Sequence, residues 1–347
     1  MCVIPAVYIN YTSGGACLTS VNTNSIRMTD NGISCELNGQ KIYMDPKRAA
    51  ADALNFLSHG HTDHLPSGGT GRLLASKETA RIASLRGTKM ENHVDGMDGL
   101  EMIDAGHILG ARGLLADGVF YTGDICTRER GFLPGARVPK CEVLITECTF
   151  GLPEFSLPSL DEVKVETNRI ISEAYSSGRP VILMGYQLGK AQTLSHLFGH
   201  WDPLYYHDSV KKMNDLHREM GVPLRDVPGH SEVESEGLLD KGPWVMVAPM
   251  MTDRNAFVRR MRIKYNAVMV SFSGWARSPR FSFGQRGDHS VPLSDHCDYN
   301  ELVKMVEDSG AKTVYTIHGF TDEFAADLCK LGYDARPLRA QSLDCFV

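Results

Sequence analysis

Hydrophobic and polar residues alternate over much of residues 20–57, and two turn-forming sequences interrupt the alternation. A period of two is typical of strands that bury one face. Asp30-Asn-Gly and Asn38-Gly are both favoured in tight hairpin turns. Residues 41–45 and 53–57 are more continuously apolar and predict short buried strands. The fold is therefore expected to begin with a small β-sheet.

Farther along, helical and strand patterns follow one another. Apolar residues recur with helical spacing at 77–85, 160–177 and 300–309, and Gly178 supplies a typical helix C-terminus. Continuous apolar runs predict strands buried on both faces, as in a parallel sheet. Such runs lie at residues 244–249 and 267–275, and further strands are predicted at 180–185 and 313–317. This alternation predicts an α/β fold.

The most distinctive polar feature follows the second of the early buried strands. His59, His61, Asp63 and His64 occupy six consecutive positions. His59 and His61 alternate, so both rings point the same way from an extended segment, and the other two follow once the chain turns. Imidazole and carboxylate suit zinc, manganese or iron. A run of solvated loop histidines is the alternative, but four ligand-type residues this close together favour a metal site.

Three further polar side chains, one before the histidine cluster and two after it, stand at predicted strand ends. His107 follows Gly106, and a glycine there lets the backbone approach a metal closely. Asp124 ends an apolar strand, and Asp45 precedes Pro46. Taken singly, Asp124 could be a turn residue and His107 a core histidine. Following the histidine cluster in order, His107 and Asp124 are predicted to be further ligands.

These motifs resemble a known family. His-Gly-His-Thr-Asp-His at 59–64 is similar to the His-x-His-x-Asp-His signature of the metallo-β-lactamase fold. Glu147-Cys-Thr-Phe-Gly resembles the Glu-Ser-Thr-Tyr/Phe-Gly segment of its β-CASP branch, whose members are nucleases that process RNA and DNA ends. Gly-Lys190-Ala-Gln matches that branch's Gly-Arg/Lys-Ala-Gln element, and the segments ending at His296 and His318 resemble its motifs B and C. Similarity is closest to prokaryotic mRNA 3′-end processing factors and ligase-associated DNA exonucleases.

The resemblance implies a fold and a division into domains. It implies an αββα metallo-β-lactamase sandwich with an inserted α/β β-CASP domain. Residues 1–150 and 288–347 are then the N- and C-terminal parts of the first domain, and residues 151–287 are the insertion.

The resemblance also implies a site for two divalent ions, with zinc expected and manganese as the alternative. The implied ligands of one ion are His59, His61, His107 and Asp124, and those of the other are Asp63, His64, Asp124 and His318. Asp45 is implied to brace these ligands, with a simple turn role as its alternative. Catalytic roles fall to Asp63, to His296 as proton donor, and to Glu147 as the support of His296.

The function implied is a zinc-dependent nuclease, a phosphodiester hydrolase acting on single-stranded RNA or DNA and most readily an exonuclease. Two alternatives stay open. One is a small-molecule hydrolase of the same fold, for thioesters or lactones, in which Glu147 and His296 have no purpose. The other is a non-catalytic nucleic-acid-binding partner of an active nuclease, against which the full set of ligands argues.

Composition adds limits on compartment and partners. The 347 residues are 42% hydrophobic and 22% charged, with no apolar run near the ~20 residues that span a membrane. Nine cysteines without a Cys-x-x-Cys pair suggest reduced thiols in a cytoplasmic protein. No membrane partner is expected, and a homodimer is left open.

Charge is distributed unevenly along the chain. The net charge is −6, yet residues 254–287 hold eight basic residues, six interleaved aromatics and no acid. Cations and aromatic faces together suit single-stranded nucleic acid. Lys190, Trp275, Arg277 and Arg280 are the predicted nucleic-acid-binding residues. A solvated helix face and core aromatics explain the same stretch equally well.

Overall fold

The structure is a computed structural model that describes residues 25–276 and 287–340. Within these ranges the chain forms three sheets and eight α-helices. The strands are β1 (Arg27–Thr29), β2 (Gly32–Leu37), β3 (Gln40–Met44), β4 (Leu54–Phe56), β5 (Arg72–Leu74), β6 (His93–Val94), β7 (Glu101–Asp104), β8 (Arg112–Ala116), β9 (Val119–Tyr121), β10 (Val143–Cys148), β11 (Val181–Gly185), β12 (Leu204–Tyr206), β13 (Val245–Pro249), β14 (Val268–Phe272), β15 (His289–Val291), β16 (Thr313–Gly319) and β17 (Asp334–Pro337). The helices are α1 (Lys77–Leu85), α2 (Leu160–Ser176), α3 (Lys190–Leu197), α4 (Asp208–Glu219), α5 (His230–Ser235), α6 (Ala256–Tyr265), α7 (Tyr299–Ser309) and α8 (Thr321–Lys330).

Two of the sheets face each other across one apolar core. The first runs in chain order from β1 to β6, and the second is ordered β17, β16, β10, β9, β8, β7. Ile42 and Phe56 of the first sheet share a buried cluster with Tyr121, Ile145 and Ile317 of the second. Because the second sheet contains both β10 and β16, it draws together segments from the middle and the end of the chain.

Helices cover the outer faces of this sheet pair. Ala83 of α1 packs with Leu57, at the end of the first sheet. Leu302 of α7 and Phe324 of α8 pack with Leu144 of the second sheet. The resulting order of layers is helix, sheet, sheet, helix.

The third sheet is separate and wholly parallel, with the order β12, β13, β11, β14, β15. In the central strand, Val181 lies opposite both Val245 and Val268. Leu183 and Ile182 point to opposite faces and belong to different buried clusters. The predicted parallel sheet with two buried faces is therefore confirmed, and the fold is a mixed α/β structure.

Local predictions agree with the structure in most places and fail in two. Both predicted hairpins form, as the antiparallel pairs β1–β2 and β2–β3. The sequence at residues 186–194 also predicts the opening of a helix. That helix, α3, begins only at Lys190, because a turn ending at Gly189, with φ of 86°, precedes it. The five histidines within residues 195–250 lack ligand spacing and are predicted to be surface or interface residues, yet two of them, His217 and His230, are buried. In the described residues, no helix is long and apolar enough to cross a membrane.

Candidate active site

The histidine cluster begins directly after strand β4, which ends at Phe56. His59 lies on the extended continuation of this strand, and His61 immediately precedes a single 3₁₀ turn, Thr62–His64. A Cβ at Gly60 would lie 2.5 Å from Cγ2 of Ile82, so the loop rests directly on α1. A buried strand and a helix thus hold the loop in place from two sides.

Four of the predicted ligands converge on one point. His59, His61, His107 and Asp124 each present one donor atom, and these atoms lie within 4.8 Å of one another. His61 Nδ1 is 3.0 Å from His59 Nε2 and 3.1 Å from His107 Nε2. Asp124 Oδ2 is 3.4 Å from His59 Nε2 and 3.6 Å from His107 Nε2. Donors around tetrahedral zinc, with zinc–nitrogen distances of about 2.0–2.1 Å, are separated by about 3.4 Å. The donor set therefore fits a divalent ion in both chemistry and spacing.

Burial keeps these imidazoles in the form that binds metals. It lowers the pKa of both His59 and His107 well below the usual histidine value, and neighbouring imidazoles lower these pKa values further. The pKa of His61 is also lowered by burial. Neutral imidazole has a free lone pair, so all three rings are prepared to coordinate a cation.

Asp45 fixes the base of the loop. Its carboxylate accepts hydrogen bonds from Ser58 N and Oγ, both at 2.6 Å, and from the Tyr121 hydroxyl at 2.7 Å. His64 Nδ1 lies 2.7 Å from the same carboxylate. Burial by itself would raise the pKa of Asp45, but His64 and Ser58 bring it below its usual value. A carboxylate behind a histidine sets the ring's orientation and leaves its other nitrogen facing the site.

The residues implied for the second ion are less compact. His64 Nε2 lies 3.6 Å from Asp124 Oδ2 and 3.9 Å from Asp63 Oδ2. Asp63 is exposed, and the His318 ring centre is 5.8 Å from that of His64. Burial lowers the pKa of His64, but Asp124 and Asp45 outweigh this and raise it to about 10. The same carboxylates would favour a metal cation at Nε2. Within the described ranges, Asp63 and His318 belong to no compact donor group, so the second ion stays a prediction.

His296, which is partly exposed, pairs with the buried Glu147 beside the first group. His296 Nδ1 lies 3.0 Å from Glu147 Oε1, and Glu147 Oε2 accepts a hydrogen bond from the backbone N–H of Thr149 at 2.7 Å. Burial opposes a charge on His296, but Glu147 raises the pKa of the ring above its usual value. The ring centre is 4.6 Å from that of His107. Asp124, Glu147 and His296 also form a possible donor group, so a role as ligand competes with the predicted role as proton donor.

A cleft of about 810 Å³ opens over these groups. Most of the predicted site residues line it: His61, Asp63, His64, His107, Asp124, Lys190, Trp275, His296 and His318. Trp275 packs against Phe150, with ring centres 4.6 Å apart, and a Cβ at Gly274 would lie 2.2 Å from Cζ of Phe150. The two aromatic rings close one wall of the cleft, and Gly274 is what allows their close approach.

The chain is similar in sequence to proteins that are named for nucleic-acid processes. No family model matches the chain. A protein of Opitutus terrae named probable DNA ligase is 30% identical over 295 residues, which are 81% of this chain and 28% of that protein. Two proteins named transcription termination factor FttA, from Methanocaldococcus jannaschii and Methanococcus maripaludis, are 34% and 37% identical over 103 residues. Those 103 residues are 27% of this chain and 16% of each factor, so the chain spans a small part of all three relatives.

A solved structure has the same fold as this chain over most of both chains. It is a protein of unknown function from Enterococcus faecalis V583, with a TM-score of 0.52 and 16% identity. The superposition covers 83% of this chain and 79% of that one. At this identity the likeness concerns the fold alone.

Lys190 has a different environment from the one predicted. It is 2% exposed, and its Nζ lies 2.8 Å from Asp295 Oδ2. Arg130 Nη1 lies 2.8 Å from Asp295 Oδ1, while its Nη2 donates to the backbone carbonyl of His107 at 2.8 Å. The Asp295 carbonyl in turn lies 2.9 Å from His107 Nδ1. Lys190 is therefore ion-paired with Asp295. The same network of contacts holds His107 and Asp295, the residue before His296, in place.

Sequence reasoning missed Arg130 and Asp295. Asp295 directly precedes His296, and that adjacency was an available signal. Arg130 lies in a loop without any recognisable motif, and only its 2% exposure identifies it.

The basic stretch at 254–287 is largely neutralised where the structure describes it. Arg262 pairs with Asp253 and Asp288, and Arg260 pairs with Glu234. These acids come from segments outside the basic stretch or at its edge. Arg277 and Arg280 lie outside the described residues, and their predicted contacts with nucleic acid stay predictions.

Proposed function

We propose that this chain is a metal-dependent nuclease of the metallo-β-lactamase fold, in the β-CASP branch, that hydrolyses phosphodiester bonds of single-stranded RNA or DNA. Its domains would be residues 1–150 with 288–347, and the insertion at 151–287. The ions would be zinc, with manganese as the alternative. The names of the relatives, a probable DNA ligase and transcription termination factors, support an action on nucleic acids.

One observation carries the proposal: a metal-binding group and the histidine of an acid–histidine pair share one cleft. His59, His61, His107 and Asp124 supply donors for a cation. His296, held by Glu147 at 3.0 Å, lies beside them and is not needed to complete that set. Hydrolysis of a phosphodiester needs both charge neutralisation and a proton for the leaving oxygen. Neither a metal-storage site nor a structural zinc site requires a pair such as His296 and Glu147.

Each group of residues would have its own role in the hydrolysis. His59, His61, His107 and Asp124 would hold one ion, and Asp63, His64, Asp124 and His318 a second. When bound, these ions would lower the pKa of a water molecule and neutralise phosphate charge. His296 would protonate the leaving oxygen from Nε2, because Nδ1 is engaged with Glu147. Asp45 would keep His64 oriented through their 2.7 Å contact.

The experiment incubates purified protein with end-labelled single strands of RNA and of DNA, and in parallel with a chromogenic ester. Metal is first removed by chelation and then restored as zinc or manganese. We expect strand hydrolysis only after metal is restored and no comparable hydrolysis of the ester. Asp124→Ala should be inactive, while His200→Ala, which changes an exposed histidine outside the cleft, should retain activity.

Hydrolysis of the ester without hydrolysis of either strand would overturn the proposal in favour of a small-molecule hydrolase. Strand binding without hydrolysis in the presence of either metal would point instead to a non-catalytic binding protein. Full activity in the chelated protein would contradict the role given to the metal-binding group.

A further inference from the structure

Two residues connect the metal cleft to a second cavity. Thr62 and Arg86 line both the cleft and a pocket of about 560 Å³ that lies beneath the loop at residues 67–71. Thr62 begins the 3₁₀ turn that carries Asp63 and His64. A strand with its phosphate at the metal-binding group can therefore continue past this junction without leaving the surface of the protein.

Arg86 provides a positive charge at the junction. It follows the last residue of α1, and its Nη2 donates a hydrogen bond to Thr62 Oγ1. Partial burial lowers the pKa of Arg86 and Asp63 opposes this effect, but a guanidinium stays charged at neutral pH. No carboxylate in residues 25–276 or 287–340 forms an ion pair with Arg86, whereas Arg81 on the same helix is paired with Glu219. The charge of Arg86 is thus available to a ligand.

The second cavity has the composition of a backbone-binding site. Its size is within the ~300–1,000 Å³ typical of ligand sites. Hydroxyls of Ser67, Thr70 and Thr88 line it together with Lys89, which also has no ion-pair partner in the part of the chain that the structure describes. One carboxylate, that of Glu91, is present at the wall. Cations, hydroxyls and backbone amides are the groups that contact phosphate and sugar without reading sequence.

We propose that Arg86 and this cavity bind the sugar–phosphate backbone next to the scissile phosphate, so that the strand leaves the metal centre across Thr62 and enters the pocket beside Lys89. The inference rests on the proposed function and adds the direction in which the strand runs. A competing direction exists, because a smaller cavity of about 290 Å³ on the other side of Arg86 is lined by Lys212. The Lys89 path is favoured because its cavity is larger and richer in hydroxyl groups.

The test measures the affinity of the chelated protein, with all 347 residues, for a fluorescent single strand of about ten nucleotides across a salt series. Each lost phosphate contact should flatten the slope of log K against log salt by about 0.7. We expect this for Arg86→Gln and for Lys89→Gln, with affinity falling about tenfold in each. Arg86→Lys keeps the charge and should keep the slope. Arg81→Gln removes a charge already paired with Glu219, so it serves as the matched control and should behave as the wild type.

Wild-type slopes in both Arg86→Gln and Lys89→Gln would overturn the inference. A flattened slope in Lys212→Gln without one in Lys89→Gln would also overturn it, since the strand would then run the other way. Hydrolysis of the same strand by the metal-restored protein is scored separately. A hydrolysed strand with unchanged slopes refutes only the path, whereas a strand bound with the expected slopes but never hydrolysed refutes the proposed function.

Discussion

Asp295 accepts hydrogen bonds from two buried cations, Arg130 through Nη1 and Lys190 through Nζ, each at 2.8 Å. Asp295 is 3% exposed, so little water can replace either contact. Asp295→Asn preserves the shape of the side chain and removes its charge. We expect this substitution to leave two buried positive charges without a counterion.

The expected loss of unfolding free energy depends on how many buried charges each substitution leaves without a partner. Removing one partner of a buried ion pair typically costs about 3–5 kcal/mol, and Asp295→Asn removes the partner of both cations. That loss is a large fraction of the about 5–15 kcal/mol of unfolding free energy that a folded protein has. Lys190→Met instead leaves a matched Arg130–Asp295 pair and also removes the desolvation penalty of the lysine. We therefore expect Lys190→Met to cost about 1 kcal/mol, well below Asp295→Asn.

The same network predicts a dependence on pH. Burial lowers the pKa of Lys190 below its usual value, and Asp295 opposes that effect. In the unfolded chain the lysine has a pKa of about 10.4 and so binds more protons than in the folded chain. Between the lowered folded value and ~10.4, the unfolding free energy therefore rises with pH. Asp295→Asn lowers the pKa of Lys190 in the folded chain further. The difference in unfolding free energy between this variant and the wild type should therefore shrink as pH approaches 10.

Urea unfolding followed by circular dichroism measures these differences, with chelator in every sample because bound metal would add its own stabilisation. The double variant Asp295→Asn with Lys190→Met should be more stable than Asp295→Asn alone, because only Arg130 then lacks a counterion. Equal unfolding midpoints for Asp295→Asn and Lys190→Met would contradict the role of Asp295 as the shared counterion of both cations. So would a deficit of Asp295→Asn that does not change with pH.

The remaining predictions concern the cleft. Asp124→Ala should lose bound metal while retaining the fold, and two ions per chain by elemental analysis would contradict a bridging role for Asp124. His296→Ala should reduce turnover by ~10²–10⁴-fold with unchanged metal content; loss of one metal equivalent would make His296 a ligand instead. Gly274→Ala should lower the unfolding free energy by about 1–3 kcal/mol, because its Cβ would lie 2.2 Å from Phe150. An unchanged melting temperature would show that Phe150 can move aside at little cost in free energy.

Local patterns in the sequence determined much of the framework. The period-two alternation and the Asn-Gly turns predicted the hairpins β1–β2 and β2–β3, and apolar runs predicted the parallel sheet. These features depend on neighbours within a few residues, so a sequence displays them directly. The spacing of His59 and His61 likewise places two rings on one side of an extended segment. His107 and Asp124 could be added because each stands at a predicted strand end and follows the histidine cluster in order.

The roles of charged side chains were decided by the tertiary structure. Lys190 is predicted from the sequence to bind nucleic acid, but the fold brings Asp295, 105 positions away, to 2.8 Å from it. The acid-free basic stretch is similar, since Arg260 is paired with Glu234 from another helix. The charge of Arg86, in a segment without any motif, stays available to a ligand because no acid in the described ranges pairs with it. The electrostatic role of a side chain depends on its neighbours in space, and for long flexible cations those neighbours come from parts of the chain that local patterns cannot connect.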